Sequence, residues 1–215
     1  MLPGFANGAN CRFRHSDWPF LPACPDGFGC IVLPGFYDGF RFYGMASVMS
    51  DLTVSKHFVQ AALGGPERLG FDTREMLREA GISPDLLRIE MARVSSDQFS
   101  HLMQVLWNRM GDEFMGLGPR RARTGTFATM CALVIDCPNL ESVYRQAFQF
   151  SRLFEPMVSM ELEIGEDNAR LVARMEGEIN DPSFFLRESI LVIWHRLGSW
   201  LIGQPIELEK AEFDY

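Results

Sequence analysis

The sequence lacks any run of about 18 consecutive apolar residues, the length a membrane-spanning helix needs. Its first twenty residues have no basic start followed by an apolar block, so they do not read as a secretory leader. Cysteine is scarce. Five in 215 residues make no disulfide scaffold, and the expected location is the cytoplasm. Basic residues are outnumbered, 20 Lys and Arg against 28 Asp and Glu, for a net charge of −8. That balance argues against this chain holding a nucleic-acid duplex by itself, because phosphate binding needs a basic surface. Also missing are G-x-S-x-G, H-E-x-x-H, a dinucleotide fingerprint and a phosphate-cradling loop, since no lysine follows Gly118. The motifs give no positive case for an enzyme and imply no cofactor.

The composition that is present divides the chain near Gly44. Residues 1–44 hold seven Phe, seven Gly and five Pro, with neither Lys nor Glu. Gly and Pro interrupt every candidate period there, and only Cys30–Leu33 reads as a short strand. The expectation is a poorly structured extension, or a start-site artefact ahead of Met45 or Met49, followed by a sensing domain over 45–215. Cys11, His15, Cys24 and Cys30 resemble metal ligands by type, but their spacing lacks the two close pairs of a zinc site, and no metal is expected.

From Ser50 onward the punctuation is regular. Thr53 is placed to cap a helix through Val54, Phe58, Val59, Ala62 and Leu63, which is expected to end at Gly64-Gly65-Pro66. A second helix fits Thr73–Ala80, stopped by Gly81, and Ser83-Pro84-Asp85 opens a short third turn. Ser95-Ser96-Asp97 caps a longer helix in which Phe99, Leu102, Met103, Leu106, Trp107 and Met110 share a face. Residues 112–124 read as a loop, Thr126–Ile135 as an apolar helix, and Asn139 as the cap of the next helix. The period then changes from 3.6 to 2. Val158–Ile164 and Arg170–Met175 alternate about a turn at 165–168, the pattern of an antiparallel hairpin. The longest helix is expected over Pro182–Ile202, and Ile206–Phe213 alternates as a final strand. The fold class is therefore α+β, several helices packed on a small antiparallel sheet. Ending at Tyr215 in mid-strand, the domain reads as truncated.

Three groups carry candidate chemistry. Cys131 and Cys137 have no neighbouring base in sequence to activate a thiolate. Glu188, His195 and Ser199 share one face of the long helix; such a row suits acid–base work, pocket lining or a polar seam. Arg120, Arg121 and Arg123 form a basic cluster in an acidic domain, read as solvated rather than phosphate-binding. The remainder is a body rich in Phe, Met and Trp, large enough for a core with a cavity.

In order, the chain presents Gly70-Phe71-Asp72, Ala80-Gly81, Gly116-Leu117-Gly118 and Gly125-Thr126-Phe127. With the capped helix between them and the hairpin and long helix after them, residues from about Val54 to Phe213 resemble the arabinose-binding-like effector-sensing region of AraC-type transcriptional regulators. The resemblance implies a small-molecule effector, a homodimer, no membrane, and promoter DNA read only through a C-terminal helix-turn-helix domain missing here. On their place in buried-looking helix faces, the ligand-binding candidates are Phe127, Met130, Phe148, Phe154, Trp194 and His195. A dimerisation module without a metabolite is the alternative, and a small enzyme using Glu188 and His195 ranks third.

Overall fold

The computed structural model describes residues 53–154, 158–177 and 179–214. The 1–44 extension, its Cys30–Leu33 strand and its Cys/His cluster lie outside the described residues.

Two short strands come first. β1 (Thr53–Ser55) pairs antiparallel with β2 (Arg93–Ser95) in the register Thr53↔Ser95, Val54↔Val94 and Ser55↔Arg93. Each strand runs directly into a helix. Ser55 caps α1 (Lys56–Arg68), its side chain accepting from the His57 N–H at 3.3 Å. Ser95 caps α3 (Ser96–Met110) through a reciprocal pair with Gln98, at 3.1 Å from the Gln98 N–H and 3.0 Å back from the Ser95 N–H. The ladder thus ties two helix origins together, so the cap expected at Thr53 falls two residues later. Between them lie α2 (Thr73–Glu79), capped by Asp72, and a 3₁₀ turn over Pro84–Arg88. Val59, Leu63, Leu77, Val94, Leu102 and Leu106 fill the space enclosed by these elements.

α1 does not stop at Gly64-Gly65-Pro66 as expected. It continues through Pro66 to Arg68, with Gly65 and Pro66 both buried. Gly65 packs on the backbone of Met115, where a β-carbon would run into the carbonyl oxygen. Tertiary burial outweighs the poor helix propensity of the pair.

The second half contains α4 (Thr126–Val134), α5 (Leu140–Ser151) capped by Asn139, the hairpin β3 (Val158–Ile164) and β4 (Ala169–Met175), and α6 (Phe185–Leu201). Val158 and Met160 turn inward toward α5, while Glu161–Arg174 and Glu163–Arg170 pairs lie on the solvent side. α5 and α6 meet closely at Gly198, which packs on the Tyr144 hydroxyl; that hydroxyl donates to the Trp194 carbonyl at 3.2 Å. The class is α+β, and among the described residues the strands form two separate two-stranded sheets rather than one.

The strand expected over Ile206–Phe213 does not form. The Ile206 N–H donates to Ser199 Oγ at 3.1 Å and its carbonyl meets His195 Nε2 at 2.9 Å. Both backbone groups that a ladder would use are held by side chains of α6. Of the alternating apolar residues only Ile206 packs on the core; Leu208 and Phe213 are exposed along with the charged residues between them.

Candidate functional site

The loop between α3 and α4 is built around two adjacent carboxylates. Gly111 ends α3 in the left-handed region, at φ 61°, and delivers Asp112 into the interior. Asp112 is buried; one oxygen accepts from the Phe114 N–H at 3.0 Å and the Ala122 N–H at 2.8 Å, the other from the Gly116 N–H at 2.8 Å. A single side chain thereby satisfies three backbone donors that a loop cannot pair within itself. Glu113 does the same for the start of α4, accepting from the Gly125 N–H at 2.7 Å and the Phe127 N–H at 3.1 Å. Burial raises its carboxyl above the ordinary value despite those bonds, which act in the opposite direction. Met115, with φ 53°, is a non-glycine residue in left-handed backbone, followed at once by Gly116 at φ 71°. Such conformations cost free energy and persist where the surroundings over-determine them; here Asp112 and the Gly65 contact do so.

Two clefts flank this loop. One, of about 220 Å³, lies between α1 (His57, Gln60, Gly64), Leu117 and Pro182–Ser183, and is almost wholly apolar. The other, of about 250 Å³, opens where the C-terminal ends of α1 and α3 meet the loop. Leu69, Phe71 and Met110 form its apolar wall; Arg68, Arg120, Arg121, Asp112 and Asn180 supply its polar groups. Arg68 Nη2 donates to the Gly116 carbonyl, and the Asn180 N–H donates to the Leu117 carbonyl at 3.0 Å, so both ends of the loop turn are fastened across the cleft.

A family model described as the arabinose-binding domain of AraC transcription regulators, N-terminal, matches residues 70–215. The chain belongs to this family. Comparison with curated proteins and with solved structures gave no match. No helix-turn-helix domain is matched in the chain, and among the described residues no helix is long and apolar enough to cross a membrane.

Within this arabinose-binding-type domain, each of the four short motifs carrying the resemblance holds a glycine with left-handed backbone: Gly70, Gly81, Gly116 and Gly125. Two of these motifs, distant in sequence, converge: Phe71 of the first and Gly116 and Gly118 of the third line the same 250 Å³ cleft. The match begins at Gly70, so α1 precedes it although the resemblance extends to Val54.

The six ligand candidates sit elsewhere. Phe127, Phe148 and Trp194, from α4, α5 and α6, pack edge-to-face, with ring centroids 6.2 Å apart for Phe127–Trp194 and 4.9 Å for Phe148–Trp194. Met130 is buried in the same core. Phe154 lies in the turn after α5, exposed and against Phe150 at 5.0 Å. His195 is half-buried and holds Ile206. None of the six lines either cleft. Arg120 and Arg121 come to the larger cleft and Arg123 does not. Sequence reasoning missed Arg68, Asp112 and Glu113 as parts of this site. A detectable signal for the acids was Asp-Glu directly after a helix-ending glycine, a position that favours side-chain-to-backbone bonding.

His195 and Ser199, two members of the polar row, serve as a seam: Ser199 Oγ donates to the His195 carbonyl at 3.1 Å and accepts from Ile206. Burial drives the Cys131 thiol up to about 12, with the Glu113 carboxylate adding to it, and burial raises Cys137 as well.

Proposed function

We propose that this chain is the small-molecule-sensing part of an AraC-type transcriptional regulator and that its effector occupies the 250 Å³ cleft between α1, α3 and the 112–125 loop. The observation that carries this reading is the convergence of two family-marking glycine turns on one recess lined by both apolar and polar side chains. In this reading Phe127, Met130, Phe148 and Trp194 are the packed scaffold behind the site, and the regulator works as a cytoplasmic homodimer. Promoter DNA is contacted by a helix-turn-helix domain of the intact protein. An effector that binds one conformation more tightly shifts the balance between states by its difference in affinity and no more.

A thermal-shift screen tests the proposal. A ligand at a hundred times its Kd adds about 2.7 kcal/mol of stability, so a true effector raises the melting temperature in a saturable manner. The sensing reading is overturned by a flat response across amino acids, amines, aromatic acids and fatty acids at saturating concentration. That outcome favours a module that only dimerises, for which the exposed Val192 and Trp200 of α6 are the supporting observation.

A further inference from the structure

We infer that the 220 Å³ cleft is a second ligand site, separate from the effector cleft, and that it takes a small uncharged molecule with an aromatic or compact hydrocarbon body. Gly64 is the residue that points there. It stands inside helix α1, where glycine is a poorer helix former than alanine. Its neighbour Gly65 has a packing reason, the carbonyl of Met115, and the turn glycines of the fold have left-handed backbone. Gly64 has neither: its φ is not left-handed, and a β-carbon built on it would meet no atom within 4 Å. Its missing side chain leaves this cleft open, beside Ala61 on the same face of the helix and Leu117 of the loop. Along α1, the Gly65–Met115 contact lies between Gly64 of this cleft and Arg68 of the larger one, and the two recesses share no described lining residue.

The walls are fixed before any ligand arrives. Leu117 belongs to the turn that Asp112 fastens, and its carbonyl accepts from the Asn180 N–H at 3.0 Å. Pro182 and Ser183 lie in a turn built the same way around a buried aspartate, Asp181. One Asp181 oxygen accepts from the Ser183 hydroxyl at 3.2 Å; the other accepts from the Leu186 N–H at 2.8 Å and the Arg187 N–H at 3.3 Å. A recess held by a helix and two such turns needs little ordering on binding, which favours affinity.

The lining decides the ligand class. Ala61, Gly64, Leu117 and Pro182 make it almost wholly apolar, and among the described lining residues there is no carboxylate, ammonium or guanidinium group. A charged ligand would lose hydration there with no opposite charge to replace it, whereas an apolar one gains by leaving water. His57 and Gln60, both exposed at the rim, can hydrogen-bond one hydroxyl or N–H of the ligand. A cavity of about 150 Å³ accommodates benzene, so 220 Å³ holds a single ring with a small substituent.

The test titrates the full chain with phenol, 4-methylphenol and indole, and with benzoate and benzylamine as charged counterparts. Methyl NMR spectra report the place of binding and calorimetry the affinity. The expected result is a saturable shift of the Ala61 and Leu117 methyl signals, with those of Leu69 and Met110 in the larger cleft unmoved. 4-Methylphenol should bind about threefold to fourfold more tightly than phenol, the effect of burying one methyl group. The charged counterparts should bind about tenfold more weakly or worse. Gly64→Leu, which puts a side chain into the recess, should lose about tenfold or more, and Gly64→Ala a smaller part of that. Thermal melts accompany both variants; lost binding in a variant as stable as the parent is not misfolding. The inference is overturned if no neutral probe gives saturable shifts at Ala61 and Leu117, if binding is unchanged in both Gly64 variants, or if the charged probes bind as tightly as the neutral ones. Shifts confined to Leu69 and Met110 would put the probes in the larger cleft, so this inference falls while the sensing reading stands. Failure of the sensing reading is read separately, from the effector screen.

Discussion

Gly65 sits against the carbonyl of Met115 so closely that no side chain fits between helix α1 and the loop that follows α3. The contact joins the first helix of the domain to the strained turn beside the larger cleft. Replacing Gly65 with alanine forces either the helix or the turn to move, and overpacking of this kind costs about 1–3 kcal/mol or more. Gly64, one position earlier, has nothing within 4 Å of its β-carbon site. Gly64→Ala is expected to raise stability by about 0.5–1 kcal/mol, since alanine is the better helix former. Urea unfolding of the two variants should therefore show midpoints on opposite sides of the parent protein. A Gly65→Ala midpoint equal to that of the parent would mean the approach of helix to turn is looser than described.

Asp112 is the fastening of the loop. Asparagine keeps the shape of the side chain but offers one carbonyl where three N–H groups expect two charged oxygens. A loss of about 2–3 kcal/mol is expected from the weakened and unmade bonds, with Asp112→Ala losing at least as much. Equilibrium denaturation gives the stability, and amide exchange at Phe114, Gly116 and Ala122 should accelerate in the same variants. Unchanged exchange at those three amides would remove Asp112 from this role.

Glu113 predicts a pH dependence. Its folded pKa is raised above the ordinary 4.5, burial being the largest cause, so the folded state binds its proton more readily than the unfolded chain does. The corresponding stability is fully present below 4.5 and is lost as pH rises through the folded pKa. Relative to Glu113→Gln, which does not titrate, the parent protein should gain stability as pH falls from neutrality toward 4.5. A difference between the two that is flat over this range, or that runs the other way, contradicts the burial of this carboxyl.

Cys131 should be chemically silent in the folded protein. With its thiol held up to about 12, the thiolate fraction at pH 8 is about one in ten thousand, and the thiolate is the reactive form. Iodoacetamide followed by peptide mass mapping should leave Cys131 unlabelled in buffer and labelled after unfolding in urea. Rapid native labelling would place it at the surface.

Much of this fold could be read in advance where local chemistry decides it. Ser95 and Asn139 cap the helices expected of them, Gly111 and Gly81 end theirs, and the alternation over Val158–Ile164 gives the hairpin its register. These features depend on a few neighbouring residues. What escaped notice depends on partners distant in sequence. Pro66 continues a helix because Gly65 has Met115 to pack on, and the three-residue β1–β2 ladder is too short to display a period. Ile206–Phe213 alternates yet finds no strand, because His195 and Ser199 occupy the backbone of Ile206 first.

The site was less legible than the fold for a related reason. An apolar residue on a buried helix face looks the same whether it lines a cavity or fills a core, so Phe148 and Trp194 were natural candidates and are found in edge-to-face contact. Arg120, Arg121 and Arg123 were visible as a basic cluster, but only the fold brings the first two to one cleft with Arg68 from the end of α1. No local pattern announces that meeting.

The β1–β2 ladder and the α1 core residues also bear on where this domain starts as a folding unit. The family profile opens at Gly70, yet Val59, Ala62 and Leu63 are among the most deeply buried side chains, and β2 has its strand partner at Thr53–Ser55. A fragment begun at Gly70 would present an uncovered apolar trough along α3 and a bare strand edge at β2, both invitations to self-association. The family profile thus opens inside a packed unit, with the strand and helix of residues 53–68 upstream of its first matched residue.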